Sequence, residues 1–186
     1  MANTKKTSSQ SKQVKADTLF IDQEAPVTEP TEKKVSMRAA EIDPTQYVVV
    51  RNGFHGKLIY DSQRTGEHFV WKKFGDEQEM ELRELRNAKN SYKKYFENNW
   101  FMFEEDWIIE YLGVKQYYRY AISIDKFDNI FKLSADELRQ VLTNLSDGQK
   151  KSVAYRAKEL IKEEVIDSMS VVRTLEELLG VELIQK

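Results

Sequence analysis

The spacing of hydrophobic residues changes at Gly75, and this change constrains the fold more than any other feature of the chain. Residues 46–74 are rich in valine, isoleucine and aromatic residues and alternate between apolar and polar positions, as half-buried β-strands do. After Gly75, apolar residues recur every three or four positions, as on one face of an α-helix. The sequence therefore predicts an α+β fold, with a single domain over residues 45–186.

Two glycine-containing turns divide the first region into three predicted strands. We expect strands near residues 46–51, 57–61 and 67–74, joined as a small three-stranded antiparallel meander within residues 45–75. Gly66 can adopt the left-handed conformation that a short hairpin loop requires. Alternation then places Phe69 and Trp71 on one face of the third strand.

Residues 76–131 are predicted to form a long helix followed by an aromatic connector. The helix begins with acidic residues, which suit a helix N-terminus, and continues with one apolar stripe. The stripe consists of Met80 or Leu82, then Leu85, Ala88, Tyr92, Tyr95 and Phe96. In the connector we expect short helical segments around residues 105–112, 114–121 and 124–131.

Residues 132–186 are predicted to form a three-helix bundle. Ser134 with Glu137, and Ser146 with Gln149, have the spacing of a capping box at the start of the first two helices. The last helix is expected over residues 169–179 and ends at Gly180 as a C-terminal cap.

The first 44 residues differ in composition from the rest of the chain. All three prolines occur at or before Pro44, whereas all seven glycines come after it. Residues 1–40 are rich in Ser, Thr, Lys and Glu and have little to bury, so we expect residues 1–44 to be a disordered N-terminal arm. Two interpretations stay open, a solvated tail and a docking arm. The docking arm would use Leu19, Phe20 and Ile21 as a small apolar anchor that folds onto a partner.

Composition excludes several classes of function. The chain has no cysteine, which rules out disulfides, thiolate nucleophiles, iron–sulfur clusters and cysteine-bound zinc. Its 29 basic and 31 acidic residues give a formal net charge of -2, so no overall positive field favours a nucleic-acid partner. The glycines form no phosphate-binding loop. Because no uncharged apolar run approaches about 18 residues and no export signal is visible, we expect a protein with no membrane partner that is not secreted.

The two histidines, His55 and His68, are the first place to look for a reactive site. They could meet across the sheet with Asp61 or Glu67 to hold a metal, but two histidines on hairpin positions form a weak pattern. A catalytic histidine also needs a nucleophile or a metal partner and an orienting group, and the absence of cysteine excludes a thiol nucleophile. We therefore predict no metal, no cofactor and no catalytic residue.

Eleven aromatic residues lie between Tyr92 and Tyr120, and most are expected to fill the core. Tyr117, Tyr118 and Tyr120 cannot all face the same side of one helix. Since Tyr117 and Tyr120 are three positions apart, we expect these two to be buried and Tyr118 to be exposed beside Arg119. Tyr118 and Arg119 are therefore predicted to bind a partner protein, with stacking on nucleic-acid bases as the less favoured alternative.

Three stretches of the chain carry a resemblance to known proteins. The segments "RTGE", "FGDEQEMELRELRNAK" and "DWIIEYLGV" resemble parts of small uncharacterised proteins of tailed bacteriophages of Gram-positive bacteria, usually found among virion and assembly genes. The likeness covers residues 46–185 and leaves out the arm. It implies a structural or assembly role in a virion, and it carries no catalytic or ligand-binding residue.

The favoured function is therefore that of a noncatalytic bacteriophage virion structural or assembly protein that acts through protein–protein contacts. Its expected partners are other virion or assembly proteins, or further copies of itself, in the virion or in the cytoplasm of the bacterial host. The alternative is a phage-encoded regulator that binds nucleic acid or a host protein. Three short C-terminal helices would suit a helix-turn-helix reader, but the last helix has one arginine against two glutamates, which is poor for approaching phosphates.

Overall fold

The computed structural model describes residues 42–184, and it confirms the α+β class with antiparallel sheets and C-terminal helices. Most of the predicted arm, including Leu19, Phe20 and Ile21, lies outside the described residues. Its last positions are already packed. Ile42 lies against the hydrophobic core, and the Pro44 carbonyl accepts a 2.8 Å hydrogen bond from the Arg83 amide. The packed part of the chain therefore includes residues just before the predicted boundary at residue 45.

Between Ile42 and Ile184, five strands form two antiparallel sheets. The strands are β1 (Tyr47–Asn52), β2 (Leu58–Asp61), β3 (His68–Trp71), β4 (Glu77–Glu81) and β5 (Phe101–Met102). β1 lies between β4 and β5 in one sheet, and β2 pairs with β3 in a separate hairpin. Along β1, Val48 and Val50 are buried while Tyr47 and Val49 are exposed, which is the alternation of a strand with one buried face.

The pairing predicted for the three-stranded meander is confirmed for β2 with β3 and wrong for β1. All three strands lie near the predicted positions, but β1 pairs with β4, whose residues were predicted to belong to the long helix. Residues 77–81 fit both patterns, because Met80 is their one apolar residue. Met80 enters the core from a strand position opposite Val48. The backbone hydrogen bonds to β1 and the burial of Met80 then override the helical preference of the neighbouring glutamates.

The predicted long helix is shorter than expected and is interrupted. α1 spans Leu82–Ser91 and α2 spans Lys94–Glu97, with Tyr92 in a non-helical conformation between them (φ -140°). The predicted stripe nevertheless faces the core, since Leu82, Leu85 and Phe96 are fully buried. After β5 come α3 (Asp106–Leu112), α4 (Lys115–Tyr118) and a 3-10 segment (Ile124–Lys132), close to the three predicted connector segments.

The C-terminal helices are α5 (Ala135–Asn144), α6 (Asp147–Lys162) and α7 (Met169–Leu179). The Ser134 capping box is confirmed in both directions, and Gly180 ends α7 in the left-handed conformation (φ 64°). Of the two hydrogen bonds that define a capping box, only one forms at the second predicted site. The Ser146 hydroxyl accepts a 3.2 Å hydrogen bond from the Gln149 amide. The Gln149 side chain, however, turns away to bond both the N–H and the C=O of Ile122, at 3.0 and 2.9 Å.

The buried hydrophobic side chains form two clusters that divide the described chain between Ala121 and Ile122. The first cluster joins the strands to α1–α4, and the second fills the space between the 3-10 segment and α5–α7. The halves interlock, because Phe74 of the first half packs against the second cluster and Ile124 of the second half packs against the first. Surface features at this junction therefore depend on both halves.

Candidate functional site

The loop that follows β1 is fixed by a fully buried asparagine. The Asn52 side-chain amide donates 2.8 Å hydrogen bonds to the carbonyls of Gly56 and Lys73, and its oxygen accepts one of 2.8 Å from the Phe54 amide. Residues 52–57 are called the junction loop below. Because one side chain bonds to both ends of the turn, these hydrogen bonds fix the conformation of the loop.

The junction loop is also held against both halves of the molecule. The Gly53 amide donates to the Trp100 carbonyl at 2.8 Å, and a Cβ atom on Gly53 would lie 2.1 Å from the Asn99 carbonyl oxygen. On the other side, the Ser152 hydroxyl of α6 donates to the Gly53 carbonyl at 3.1 Å and accepts from the His55 amide at 3.2 Å. The next two side chains, Phe54 and His55, are therefore held in fixed positions on the surface.

Phe54 belongs to a row of aromatic rings that crosses the junction. Its ring centroid lies 6.2 Å from that of Trp100 and 5.9 Å from that of Tyr155, both in edge-to-face geometry. We call Phe54, Trp100 and Tyr155 the aromatic surface. Tyr155 exposes 54% of its area, and Phe54 and Trp100 are partly exposed. The Lys94 ammonium lies 5.9 Å from the Trp100 ring, so the row ends in a cation.

His55 lies in a cleft of about 550 Å³ between the two halves. Its ring stacks on Phe74 with centroids 4.2 Å apart and an angle of 16° between the planes, and it lies 5.2 Å from the Phe127 ring. These three rings form the aromatic floor of the cleft. The other lining residues are Gly56, Lys72, Lys73, Ile124, Asp125, Asp128, Arg156 and Glu159. The site can therefore accept an apolar group on its floor and charged groups at its rim.

The charges at the rim of the cleft are unequally paired. Arg156 bonds Asp128 at 2.8 and 3.0 Å and Glu159 at 3.0 Å, and these hydrogen bonds raise the pKa of Arg156. Asp125 forms an ion pair of 3.4 Å with Arg51. Lys72 and Lys73, in contrast, are exposed and form no ion pair with any residue from 42 to 184. Because the three carboxylates of the lining are matched in number by Arg156, Lys72 and Lys73, the rim carries charges of both signs and no net charge.

Burial lowers the pKa of His55 below the usual value for histidine. Glu159 and Asp128 act in the opposite direction, while Arg156 adds to the lowering. The Nε2 atom is buried and has no hydrogen-bond partner within the described chain. His55 is thus a neutral ring held by stacking. No nucleophile or orienting carboxylate is hydrogen-bonded to it within the described range, so the observed contacts do not form a catalytic relay.

The other histidine lies in a different setting. His68 on β3 contacts Asp61 on β2 through its Nδ1 atom, and both side chains are exposed. Glu67 instead accepts a hydrogen bond of 2.9 Å from the Thr65 hydroxyl. Residues 42–184 contain no group of three or more His, Asp or Glu side chains placed to hold a metal ion.

A second cavity, of about 420 Å³, surrounds Arg51 and shares Asp125 with the His55 cleft. The Arg51 side chain is 15% exposed, and its guanidinium forms ion pairs with Glu104 at 2.8 Å and with Glu77 and Asp125 at 3.4 Å each. Because an arginine already occupies the centre of these carboxylates, the arrangement is an ion-pair network that joins β1 to its neighbours.

Tyr118, predicted to be an exposed partner-binding residue, is buried, so that expectation of exposure is wrong. Only 1% of its surface is exposed, its hydroxyl donates a 2.6 Å hydrogen bond to the Phe101 carbonyl, and burial raises its pKa. The prediction assumed one helix through Tyr117 and Tyr120. Because α4 ends at Tyr118, helical spacing does not extend to Tyr120. Tyr117 and Tyr120 are partly exposed instead.

Arg119 is exposed as predicted, with its guanidinium 5.2 Å from the centre of the Tyr120 ring. Leu19, Phe20 and Ile21 lie outside the described residues. The aromatic surface and the His55 cleft were not predicted from the sequence. Asn52 and Gly53 did indicate a turn, but the contacts that fix this turn come from Lys73, Asn99 and Ser152, which are distant in the sequence.

Comparisons of the chain with protein-family models, curated proteins and solved structures find no match. In the part of the chain from 42 to 184, no helix has both the length and the apolar character needed to cross a membrane. A functional proposal therefore has to rest on the chemistry of the junction and on the sequence.

Proposed function

We propose that this chain is a noncatalytic assembly protein that works through protein–protein contacts. The observation that carries the proposal is the aromatic surface, in which Phe54 of the fixed junction loop forms a row with Trp100, next to β5, and Tyr155 of α6. Tyrosine, tryptophan and phenylalanine are enriched at protein interfaces, and the first two dominate binding hot spots. A loop that is ordered before binding also loses less conformational entropy when a partner arrives.

The setting of His55 favours a binding role over a catalytic one. The His55 imidazole is neutral and stacked, and its Nε2 atom has no partner within residues 42–184. Acid–base catalysis by histidine requires a proton donor or acceptor within hydrogen-bond reach. The stacked ring is better suited to supporting a contact surface.

The setting of these contacts is proposed from the sequence resemblance. We place the protein in a bacteriophage particle or among its assembly intermediates in the host cytoplasm, with other virion proteins or further copies of itself as partners. The nearly balanced charge of the chain agrees with protein partners more readily than with nucleic acid.

Replacement of Tyr155 by alanine tests this proposal. Tyr155→Ala should weaken self-association or incorporation into particles at least tenfold, as loss of a hot-spot residue of about 2 kcal/mol would do. Tyr47→Ala is the matched control, because Tyr47 is 61% exposed on β1 and does not belong to the aromatic surface. Both variants should melt within a few degrees of the wild type.

The readouts are sedimentation velocity of the full chain and quantitative mass spectrometry of purified particles. Equal behaviour of Tyr155→Ala, Tyr47→Ala and wild type in both measurements would contradict the role of the aromatic surface. Absence of the chain from particles and from their assembly intermediates would contradict the virion setting.

A further inference from the structure

The exposed side of α6 is basic around Tyr155. Three lysines lie four residues before Tyr155 and three and seven residues after it, which places them on its side of the helix: Lys151, Lys158 and Lys162. All three are exposed and form no ion pair with any residue from 42 to 184. Lys94 adds a fourth ammonium group at the Trp100 end of the aromatic surface. The aromatic surface therefore has positive charge at both ends.

This positive charge exceeds the acidic charge beside it. α6 contains five basic and two acidic residues, whereas the whole chain has a formal net charge of -2. Of the two acids, Glu159 is bonded to Arg156 at 3.0 Å, and Asp147 lies at the N-terminal end of the helix. A cavity of about 410 Å³ that is lined by two of the lysines has one acid in its lining, Glu182. A partner that complements this surface carries carboxylates around an apolar centre.

The turn between α6 and α7 is a surface of this kind. Residues 163–169, called the acidic turn below, contain three acidic residues and no basic one: Glu163, Glu164 and Asp167. Their carboxylates form no ion pair within the part of the chain that the structure describes. Two large hydrophobic side chains lie among them on the surface, since Val165 is 63% exposed and Met169, the first residue of α7, is 54% exposed. The acidic turn thus complements the aromatic surface in both charge and apolar character.

We propose that the aromatic surface of one copy of the chain binds the acidic turn of a second copy. Val165 and Met169 pack against the aromatic rings, and the carboxylates pair with the lysines of α6. Within one molecule this contact cannot form, because seven residues of helix, about 10 Å, separate Tyr155 from the end of α6 at Lys162. The inference rests on the proposed function, since it names the partner of the aromatic surface.

The geometry of the rings favours a protein partner over a nucleic acid. The plane of Phe54 is inclined by 62° to that of Trp100 and by 84° to that of Tyr155. Binding of a single strand uses aromatic rings on which successive bases stack. Because neighbouring rings in this row are steeply inclined, their faces point in different directions and do not form one stacking platform. Aliphatic side chains pack on ring edges and faces alike.

An exchange of charge between the two surfaces tests the proposal. In the full chain, Lys151→Glu with Lys158→Glu reverses the charge on α6, and Glu163→Lys with Asp167→Lys reverses it in the acidic turn. Each double variant alone should self-associate at least tenfold more weakly than the wild type, because attractions become repulsions. An equimolar mixture of the two should associate like the wild type, since every contact between unlike copies again joins opposite charges. Sedimentation velocity measures all three samples.

Matched reversals at other exposed positions are the controls. Lys72→Glu with Lys73→Glu, and Glu79→Lys with Glu110→Lys, make the same changes of net charge outside both surfaces. Both control variants should self-associate like the wild type. Melting curves of all four double variants verify that the fold is retained.

A photoreactive residue locates the contact. Benzoylphenylalanine at position 165 should cross-link to residues of the aromatic surface, as mapped by mass spectrometry of the digested chain. Photolysis of a mixture of isotope-labelled and unlabelled chains should show that the product joins two copies. The same photoreactive residue in place of Ile59, which is 37% exposed on β2, is the positional control and should give no such product.

The outcomes separate this inference from the proposed function. A wild-type chain that is monomeric, or a mixture that associates no better than either reversal variant alone, would overturn the inference. Weaker association of Tyr155→Ala together with wild-type behaviour of the Glu163 and Asp167 reversal would retain the proposed function and assign the aromatic surface to another partner. Binding of a labelled single-stranded oligonucleotide that depends on Lys151 and Lys158, without self-association, would assign the surface to nucleic acid instead.

Discussion

At the scale of single residues, Tyr118 links the interior of the aromatic connector to β5. We expect Tyr118→Ala to lower the free energy of unfolding by about 3–5 kcal/mol, because it removes a fully buried ring. Tyr118→Phe should cost about 1 kcal/mol, since it keeps the ring and loses the hydrogen bond to the Phe101 carbonyl. Urea denaturation measures both values. Arg119→Ala is the control and should change stability little, and a similar loss in all three variants would contradict this assignment.

A second residue-scale feature is a glutamate in a backbone conformation that favours glycine. Glu164 follows α6 with φ 57°, and the amides of Glu164 and Val165 donate back to the carbonyls of Ile161 and Leu160 at 3.1 and 2.9 Å. This is a Schellman motif, whose left-handed position is usually glycine. At the corresponding positions α3 and α7 have Gly113 and Gly180.

Glu164→Gly should therefore stabilise the protein by about 1 kcal/mol, because glycine adopts the left-handed conformation without a steric penalty. Glu164→Gln separates the effect of charge at the helix end from that of the backbone, and it should give a smaller change. Thermal melting of the two variants is the measurement. A gain in the glutamine variant equal to that in the glycine variant would assign the effect to charge alone.

At the scale of secondary structure elements, local signals were sufficient for the C-terminal helices and insufficient for the sheet. The boundaries of α7 and the Ser134 capping box depend on residues within a few positions of one another, and both were predictable. Which strand pairs with β1 depends on contacts between residues that are far apart in the sequence. Consecutive strands usually pair with each other, and this preference predicted β2 as the partner of β1. Residues 77–81 could not be assigned from periodicity, because a single apolar residue fits a helix and a strand equally well.

The candidate site was less predictable than the fold for the same reason. The Asn–Gly pair at 52 and 53 indicated a turn. The position of this turn, however, is fixed by hydrogen bonds to Trp100, next to β5, and to Ser152 of α6. The exposure of Tyr118 was predicted wrongly because one helix was assumed where the chain leaves the helix after Tyr118. Both features depend on contacts between residues far apart in the sequence.

The contact between α6 and the end of α2 gives the prediction at this scale. A Cβ atom on Gly148 would lie 2.2 Å from the backbone oxygen of Asn98, so the two elements approach too closely for any side chain. Alanine is a better helix former than glycine by about 1 kcal/mol, but Gly148→Ala should lower stability by about 1–3 kcal/mol because the backbones must separate. Thermal melting checks this. Lys151→Ala, at an exposed position of α6, should be nearly neutral, and a Gly148→Ala variant as stable as wild type would contradict the close approach.

At the scale of the whole molecule, the two hydrophobic clusters are joined by a few specific contacts. Gln149 bonds both backbone groups of Ile122, Ser152 bonds the junction loop, and Phe74 reaches across to the second cluster. The aromatic surface and the His55 cleft both include residues from the two halves of the molecule that these contacts join. Their geometry therefore depends on the relative placement of the two halves, and a change that loosens the joint should alter both surfaces together.

His55 should make the stability of the whole molecule depend on pH. Burial lowers its pKa in the folded state, whereas the unfolded chain should titrate at about 6.5. As the pH falls below about 6.5, the unfolded state takes up a proton that the folded state resists, so the free energy of unfolding decreases down to the lowered pKa. The nearby Glu159 and Asp128 moderate this loss and Arg156 increases it.

Urea denaturation between about pH 7.5 and 5 measures the effect, in a range above the ordinary pKa values of the carboxylates. His55→Phe keeps a ring against Phe74 and Phe127 and removes the titrating group, so its free energy of unfolding should lose most of the decrease seen in the wild type on acidification. His68→Gln is the matched control, because it removes the exposed histidine beside Asp61 and should retain the pH dependence of the wild type. If His55→Phe and wild type lose stability in parallel as the pH falls, the neutral histidine in the cleft is not the group that couples folding to protons.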